Sequence, residues 1–328
     1  MLTLRTPGHR AAVPAAAALL LGGLVALAGC SSGAAPKPST GSSAGSAAGS
    51  AAGGSGGGRP AGSPSGSPSG VAAGDAVTVF ELADPIVRYQ AYVADRLAVL
   101  DGQVQALSRA VTAGDLAASR ADWLAAHLTY HALGAAYGAF GDAGQAIDGT
   151  ASGLPGGPAD PRFTGFHRVE LALWSGGGTA AAVAPAARLA QDVAALRARA
   201  GRLEISANDF TTRAHEILED TLRSRLTRRD DYGSGSGLAT AAADAAATRT
   251  VVGLLRPILA QHHPDVVALL DRRLTTLDGA LHPAGAPVPL RSLGRPQRQR
   301  IDAAMGAALE ELAVLPGLLH VEEEDEDE

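Results

Sequence analysis

Phe163-Thr164-Gly165-Phe166-His167-Arg168-Val169-Glu170, running on through Leu171, Leu173 and Trp174, is the stretch around which the 328-residue chain is best read. It sets an imidazole and a carboxylate three positions apart at the start of an apolar, helix-compatible run. Positions i and i+3 share a helix face, so His167 and Glu170 can reach one bound ion together. Carboxylate–histidine pairs at this spacing hold iron or manganese inside helical bundles. Alone, the pattern is short and also describes a surface His and a surface Glu at a helix start. The remainder of the chain has to weigh the two readings.

Hydrophobic residues make up 46% of the chain and aromatics only 4%, with Ala and Leu abundant, which favours helices packed closely on small side chains. The formal charge of −6 is concentrated in Glu322–Glu328, seven consecutive acids. The part before it is nearly neutral and carries no nucleic-acid footprint. Arg5 and Arg10 precede an apolar run from Ala11 to Leu27, too short to read as a membrane span and shaped like a signal segment. It ends Leu27-Ala28-Gly29-Cys30, which looks like a bacterial lipobox, and Cys30 is the single cysteine. We therefore expect residues 1–29 to be a lipoprotein signal peptide and Cys30 to carry the lipid, with no internal disulfide. Residues 30–74 are almost entirely Gly, Ala, Ser and Pro. Such a segment buries too little apolar surface to fold and reads as a disordered tether of roughly 35–40 Å mean span.

From residue 75 to about 320 the pattern is helical. Ile86, Val93, Leu97, Leu100, Val104, Leu107 and Val111 step by three and four, with Gln90 beside Tyr89 as the one miss. Gly114 ends that helix and Asp115 caps a second, expected to run to about Phe140. This second helix carries Trp123, His127, Tyr130, His131 and Tyr137. Gly141 to Thr164 reads as a long irregular connection containing Asp148. Helices are expected from Phe166 to the glycines at 176–178, from Pro185 to about Ala200, and over 206–226, 238–260, 264–277 and 292–315. No segment shows strand alternation. Asp230-Asp231-Tyr232-Gly233-Ser234-Gly235-Ser236-Gly237 reads as a plain turn or helix entry, or as a backbone anion nest, without the Lys and spacing of a P-loop. Residues 321–328 form an acidic tail.

The run Thr164–Trp174 resembles the GxHxxE signature of the imelysin family, and more narrowly its EfeO-type members, components of bacterial iron uptake. Other pieces fall in the order that family shows them: Trp123 and Tyr130, Ala135–Phe140, Ile147-Asp148, Arg213–Glu219, Asp231–Ser236 and Leu254–Pro257. The resemblance spans about residues 77 to 280. It implies an all-α fold of two four-helix-bundle-like halves and a metal site near the GxHxxE helix. Residue by residue, the site takes His131, Asp148, His167 and Glu170. Many relatives carry Glu at the position of His131, and some carry acids at those of Gly134 and Gly138.

Two imidazoles and two carboxylates make a mixed donor set that suits iron, Fe(II) or Fe(III), and also zinc or another divalent metal. His131 also reads as a buried residue hydrogen-bonded to Asp148 with no ion. His127 and His215 read as solvated helix-face histidines, and Glu216 as a carboxylate supporting the site from outside. The resemblance implies a lipid-anchored, extracytoplasmic iron-binding protein that delivers iron to a membrane permease, with a haem peroxidase as a further partner. An imelysin-like metallopeptidase is the competing enzyme reading, although the chain has no HExxH pair of zinc histidines. A metal-free surface binding module is the third.

Overall fold

The computed structural model describes residues 77–285 and 288–319. Cys30, the signal segment, the tether and the acidic tail lie outside the described residues. Helix α1 (Val79–Thr112) begins at a capping box in which Thr78 and Glu81 satisfy each other's backbone groups. Its buried residues Leu82, Tyr89, Val93, Leu97, Leu100, Val104, Leu107 and Val111 form one stripe. Tyr89 takes the core position that the periodicity left to Gln90, and Gln90 turns its amide to the Leu203 carbonyl instead.

Along the chain follow α2 (Leu116–His131), α3 (Tyr137–Phe140), α4 (Asp142–Asp148), α5 (Gly165–Trp174) and α6 (Gly178–Ala198). They are continued by α7 (Ala207–Asp220), α8 (Gly237–His262), α9 (Pro264–Leu281), α10 (Arg295–Leu312) and α11 (Leu315–Leu318). No strand occurs among the described residues, so the chain is all-α. Helices α1, α2, α5 and α6 pack as one bundle, and α7 to α10 as a second. The seam between them is made by α8 against α1 and α2. Helix α8 is long and apolar enough to cross a membrane, but here it is a core helix, with Leu238, Ala241, Val251, Leu255 and Leu259 buried.

Four expected boundaries move. The second helix stops at His131 and resumes only as a 3₁₀ turn and α3. Gly134 sits in that break, where a Cβ would come within 2.8 Å of Ile217 Cγ1, so α7 approaches the backbone directly. The connection expected to be irregular contains α4, and Asp148 ends that helix instead of lying in a loop. Helix α6 starts seven residues before Pro185 and carries the proline inside it. The helix expected over 206–226 widens into a π-turn at Thr221–Arg225. Such turns break the regular ladder and re-aim side chains, here sending Arg225 inward.

Leu97 is fully buried in the first bundle, and removing a buried Leu side chain costs transfer energy plus a cavity. Leu97→Ala is expected to lower unfolding free energy by about 2–5 kcal/mol in a denaturant titration followed by helical circular dichroism.

Candidate metal centre

The site starts from a glycine. Gly165 opens α5 with φ of +76°, and a Cβ there would lie 2.1 Å from the Ile147 carbonyl oxygen. No L side chain fits, so the C-terminal turn of α4 rests directly on the start of α5. Thr164 fastens the contact by donating its hydroxyl to the Ala146 carbonyl at 2.9 Å. This brings Asp148 Oδ1 to 3.6 Å from His167 Nε2.

Helix α2 faces the same point. Its buried stripe runs through Ser119, Trp123, His127, Tyr130 and His131, so two imidazoles at i and i+4 project from one face. Trp123 ties α2 to α5 by donating its indole N–H to the Phe166 carbonyl at 2.9 Å. Its ring also stacks on His127 at 4.7 Å. His127 Nε2 lies 3.3 Å from Asp148 Oδ1, and His131 Nε2 lies 3.6 Å from Asp148 Oδ2. The two Nε2 atoms are 3.1 Å apart. His127, His131 and Asp148 thus offer ligand atoms all within 4.8 Å of one another. At 3.6 Å, His131 and Asp148 are too far apart for a direct hydrogen bond.

The outer nitrogens decide which atoms face inward. His131 Nδ1 is 2.7 Å from Asp244 Oδ1, and Asp244 Oδ2 accepts the Thr221 hydroxyl at 2.8 Å. His167 Nδ1 is 3.2 Å from Glu170 Oε2. Assigning the ring protons from these bonds, each ring in its neutral form donates through Nδ1 and turns an Nε2 lone pair toward Asp148. Asp148 and the Nε2 lone pair of His167 are acceptors, while the Nε2 atoms of His127 and His131 share one ring proton across 3.1 Å. Asp148 Oδ1 and His167 Nε2 are buried atoms with no hydrogen-bond partner. A ring proton or a metal cation satisfies the Asp148–His167 pair, and His127, His131 and Asp148 offer two nitrogens and a carboxylate of the kind that Fe(II), Zn(II), Mn(II) or Cu(II) accepts.

The electrostatics agree. Burial pushes His127 down to about 4, helped by the neighbouring His131, so this ring is neutral at pH 7. Burial would also lower His167, but Asp148 and Glu170 outweigh it and raise its pKa above the usual histidine value. Burial would raise Asp148, yet the positive charge that His167 carries below its raised pKa, with a hydrogen bond from His127, holds it well below the carboxylate range, so it is ionised. Arg225 stands behind the carboxylates. It pairs with Asp230 and lies 3.7 Å from Asp244 and 3.9 Å from Asp148. A cavity of about 440 Å³ opens onto Asp148, with Tyr137, Arg213, Asp220 and Asp244 in its walls.

A family model described as imelysin (Peptidase_M75) matches residues 86–315. The chain belongs to the imelysin family. Among its relatives is the "Iron uptake system component EfeO" of Yersinia pseudotuberculosis serotype I (strain IP32953), 30% identical over 241 residues. The match covers 73% of this chain and 64% of that protein. The protein of the same name from Yersinia pestis matches to the same extent. That from Escherichia coli (strain K12) is 27% identical over 209 residues, covering 64% of this chain and 56% of its own length. The chain therefore spans less than two thirds of the length of these curated relatives.

In this imelysin chain the two motif residues pair with each other. Of the four expected residues, the fold sets His131 and Asp148 in one cluster with His127, and places His167 against Asp148 at its side. Glu170 is buried beside them, but Oε2 is spent on His167, while Oε1 accepts from Tyr232 N–H, Ser234 N–H and the Ser234 hydroxyl. His127, set aside in sequence as a solvated residue, is 2% exposed and belongs to the cluster. Its spacing of four from His131, on the stripe of Trp123 and Tyr130, is the signal that points to it. Asp244 and Arg225 have no such local signal. His215 lies 4.0 Å from Glu219 and Glu216 pairs with Arg213 at 3.1 Å, both with partly exposed side chains. At Gly134 an acid would collide with Ile217, whereas a Cβ at Gly138 would meet only Arg213 at 3.8 Å.

Gly165→Ala is expected to cost at least about 1–2 kcal/mol from the left-handed backbone alone. The collision with Ile147 should also move Asp148 away from His167. Thermal unfolding checks the first effect, and a Zn(II) titration of the folded fraction checks the second through weaker binding.

Proposed function

We propose that this chain is an extracytoplasmic iron-binding component of an iron-uptake system of the EfeO type, anchored through lipid on Cys30. Its part is to hold iron for a membrane permease, with a haem peroxidase as a further partner. The observation that carries the reading is the buried convergence of His127, His131, His167 and Asp148, in which Asp148 Oδ1 and His167 Nε2 have no hydrogen-bond partner. The names of the Yersinia and Escherichia relatives point to iron as the cargo. Glu170 keeps its place in the site as the carboxylate that aims His167. The lipobox-like Leu27–Cys30 and the Gly/Ala/Ser/Pro run after it support a tethered domain outside the cytoplasmic membrane. A peptidase reading would need a free carboxylate as general base beside the ion. Both Glu170 oxygens are engaged, which weighs against that role.

Binding should be read by titrating residues 75–328 with Fe(II) under nitrogen, with Fe(III), and with Zn(II). His131→Ala and His167→Ala are each expected to weaken binding by on the order of tenfold or more, with the helical signal intact. Unchanged affinity in both variants would refute the site. Protons compete at the imidazoles. Because the His167 pKa is raised, affinity should already decline above pH 6.5 and continue to fall below it. For the anchor, Cys30→Ser is expected to move the protein from the membrane fraction to the soluble one, or to leave the signal uncut. Normal processing with retained membrane association would rule out lipid attachment.

A further inference from the structure

The loop Asp231–Ser236 folds as an anion nest, and its anions are the protein's own carboxylates. Successive backbone N–H groups alternate between two of them. Tyr232 N–H and Ser234 N–H donate to Glu170 Oε1 at 3.1 and 3.0 Å, while Gly233 N–H and Gly235 N–H each donate to Asp231 Oδ1 at 3.0 Å. The Ser234 hydroxyl adds a 2.5 Å bond to Glu170 Oε1, and Ser236 N–H donates to Ser234 Oγ at 3.2 Å. Gly233 has φ of +128°, and a Cβ there would sit 2.8 Å from Trp174 Cβ, so the loop is pressed against the end of α5. The Tyr232 ring lies 5.3 Å from the His167 ring, and its hydroxyl accepts from Ala151 N–H at 2.8 Å.

We propose that Ser234 and the Tyr232 and Ser234 amides are positioning residues. They hold Glu170 Oε1, so that Oε2 must accept the Nδ1 proton of His167 and the Nε2 lone pair must face Asp148. The inference rests on the metal-binding reading for its purpose, but not for its geometry. It carries a consequence that a merely structural loop does not. In Glu170→Gln, the three loop donors require the amide oxygen at the Oε1 position, because an NH₂ group there would meet N–H and O–H donors. The NH₂ group then points at His167 Nδ1, and the ring proton must move to Nε2. Were the loop not holding the carboxylate, the glutamine would turn its oxygen to Nδ1–H and the tautomer would stay as it is.

The test uses metal-free protein labelled with ¹⁵N-histidine, with the His167 signals assigned by their loss in His167→Gln. At a pH above the raised His167 pKa, where the ring is neutral, the wild type is expected to show the proton on Nδ1, and Glu170→Gln to show it on Nε2. An Nδ1 proton in Glu170→Gln overturns the proposal. In parallel, Zn(II) affinity is measured. Ser234→Ala is expected to bind about tenfold more weakly or worse with unchanged circular dichroism, as outer-shell changes at metal sites do. Ser234→Thr, which keeps the hydroxyl, is expected to restore most of the loss. Wild-type affinity in Ser234→Ala, or a Ser234→Thr as weak as the alanine variant, overturns it. If the wild type takes up no metal at all, the metal-binding reading fails, while the tautomer in Glu170→Gln still decides this one. The tautomer also decides it should Ser234→Ala fail to fold.

Discussion

An ionised carboxylate with only 10% of its side chain exposed needs positive charge nearby, and the interior of this protein is arranged around that requirement. Asp148 ends α4, where the helix dipole is negative and makes the charge harder to hold. Three imidazoles and one guanidinium face it. With two rings locked as Nδ1 donors, the nitrogens turned toward Asp148 offer lone pairs. A positive charge among them, whether a ring proton or a cation, completes the arrangement. The glycine at 165 matters for the same reason. It lets the α4 carbonyls rest on the start of α5 and so fixes how far Asp148 stands from His167.

The two bundles divide the labour. Every inward-facing donor atom comes from the first: His127 and His131 on α2, Asp148 on α4, His167 on α5. The second supplies the groups that aim them. Asp244 on α8 holds His131, the π-turn delivers Arg225, and the loop before α8 holds Glu170. Thr221 and Arg225 in turn keep Asp244 ionised against burial, together with His131. Loss of packing along α8 would therefore reach the donor atoms without touching them, since outer partners govern ligand orientation and basicity.

Much of this was legible in the chain because local spacing maps onto helix faces. The α1 stripe, the Asp115 cap and the His167–Glu170 pair all follow from a 3.6-residue period. Where the reading slipped, backbone packing had intervened. Gly134 breaks the second helix because α7 presses on it, and α4 forms inside a Gly-rich stretch that propensity alone assigns to a loop. Pro185 reads as a helix start and lies within α6. His127 was legible as a face-mate of His131, but whether that face met solvent or another helix is not a local property.

By itself the sequence determined the helical class, the family to which the motif belongs, and His131, Asp148 and His167 as residues of the buried site. Periodicity and glycine placement encode those, because they act over a few residues. Only the tertiary structure decided which nitrogen of each imidazole turns inward, that His127 joins the cluster, and that Glu170 serves His167. Those outcomes depend on partners such as Asp244, 113 positions from His131, and Ser234, 64 positions from Glu170. Hydrogen-bond direction across such separations is set by how one bundle seats on the other, which no local pattern records.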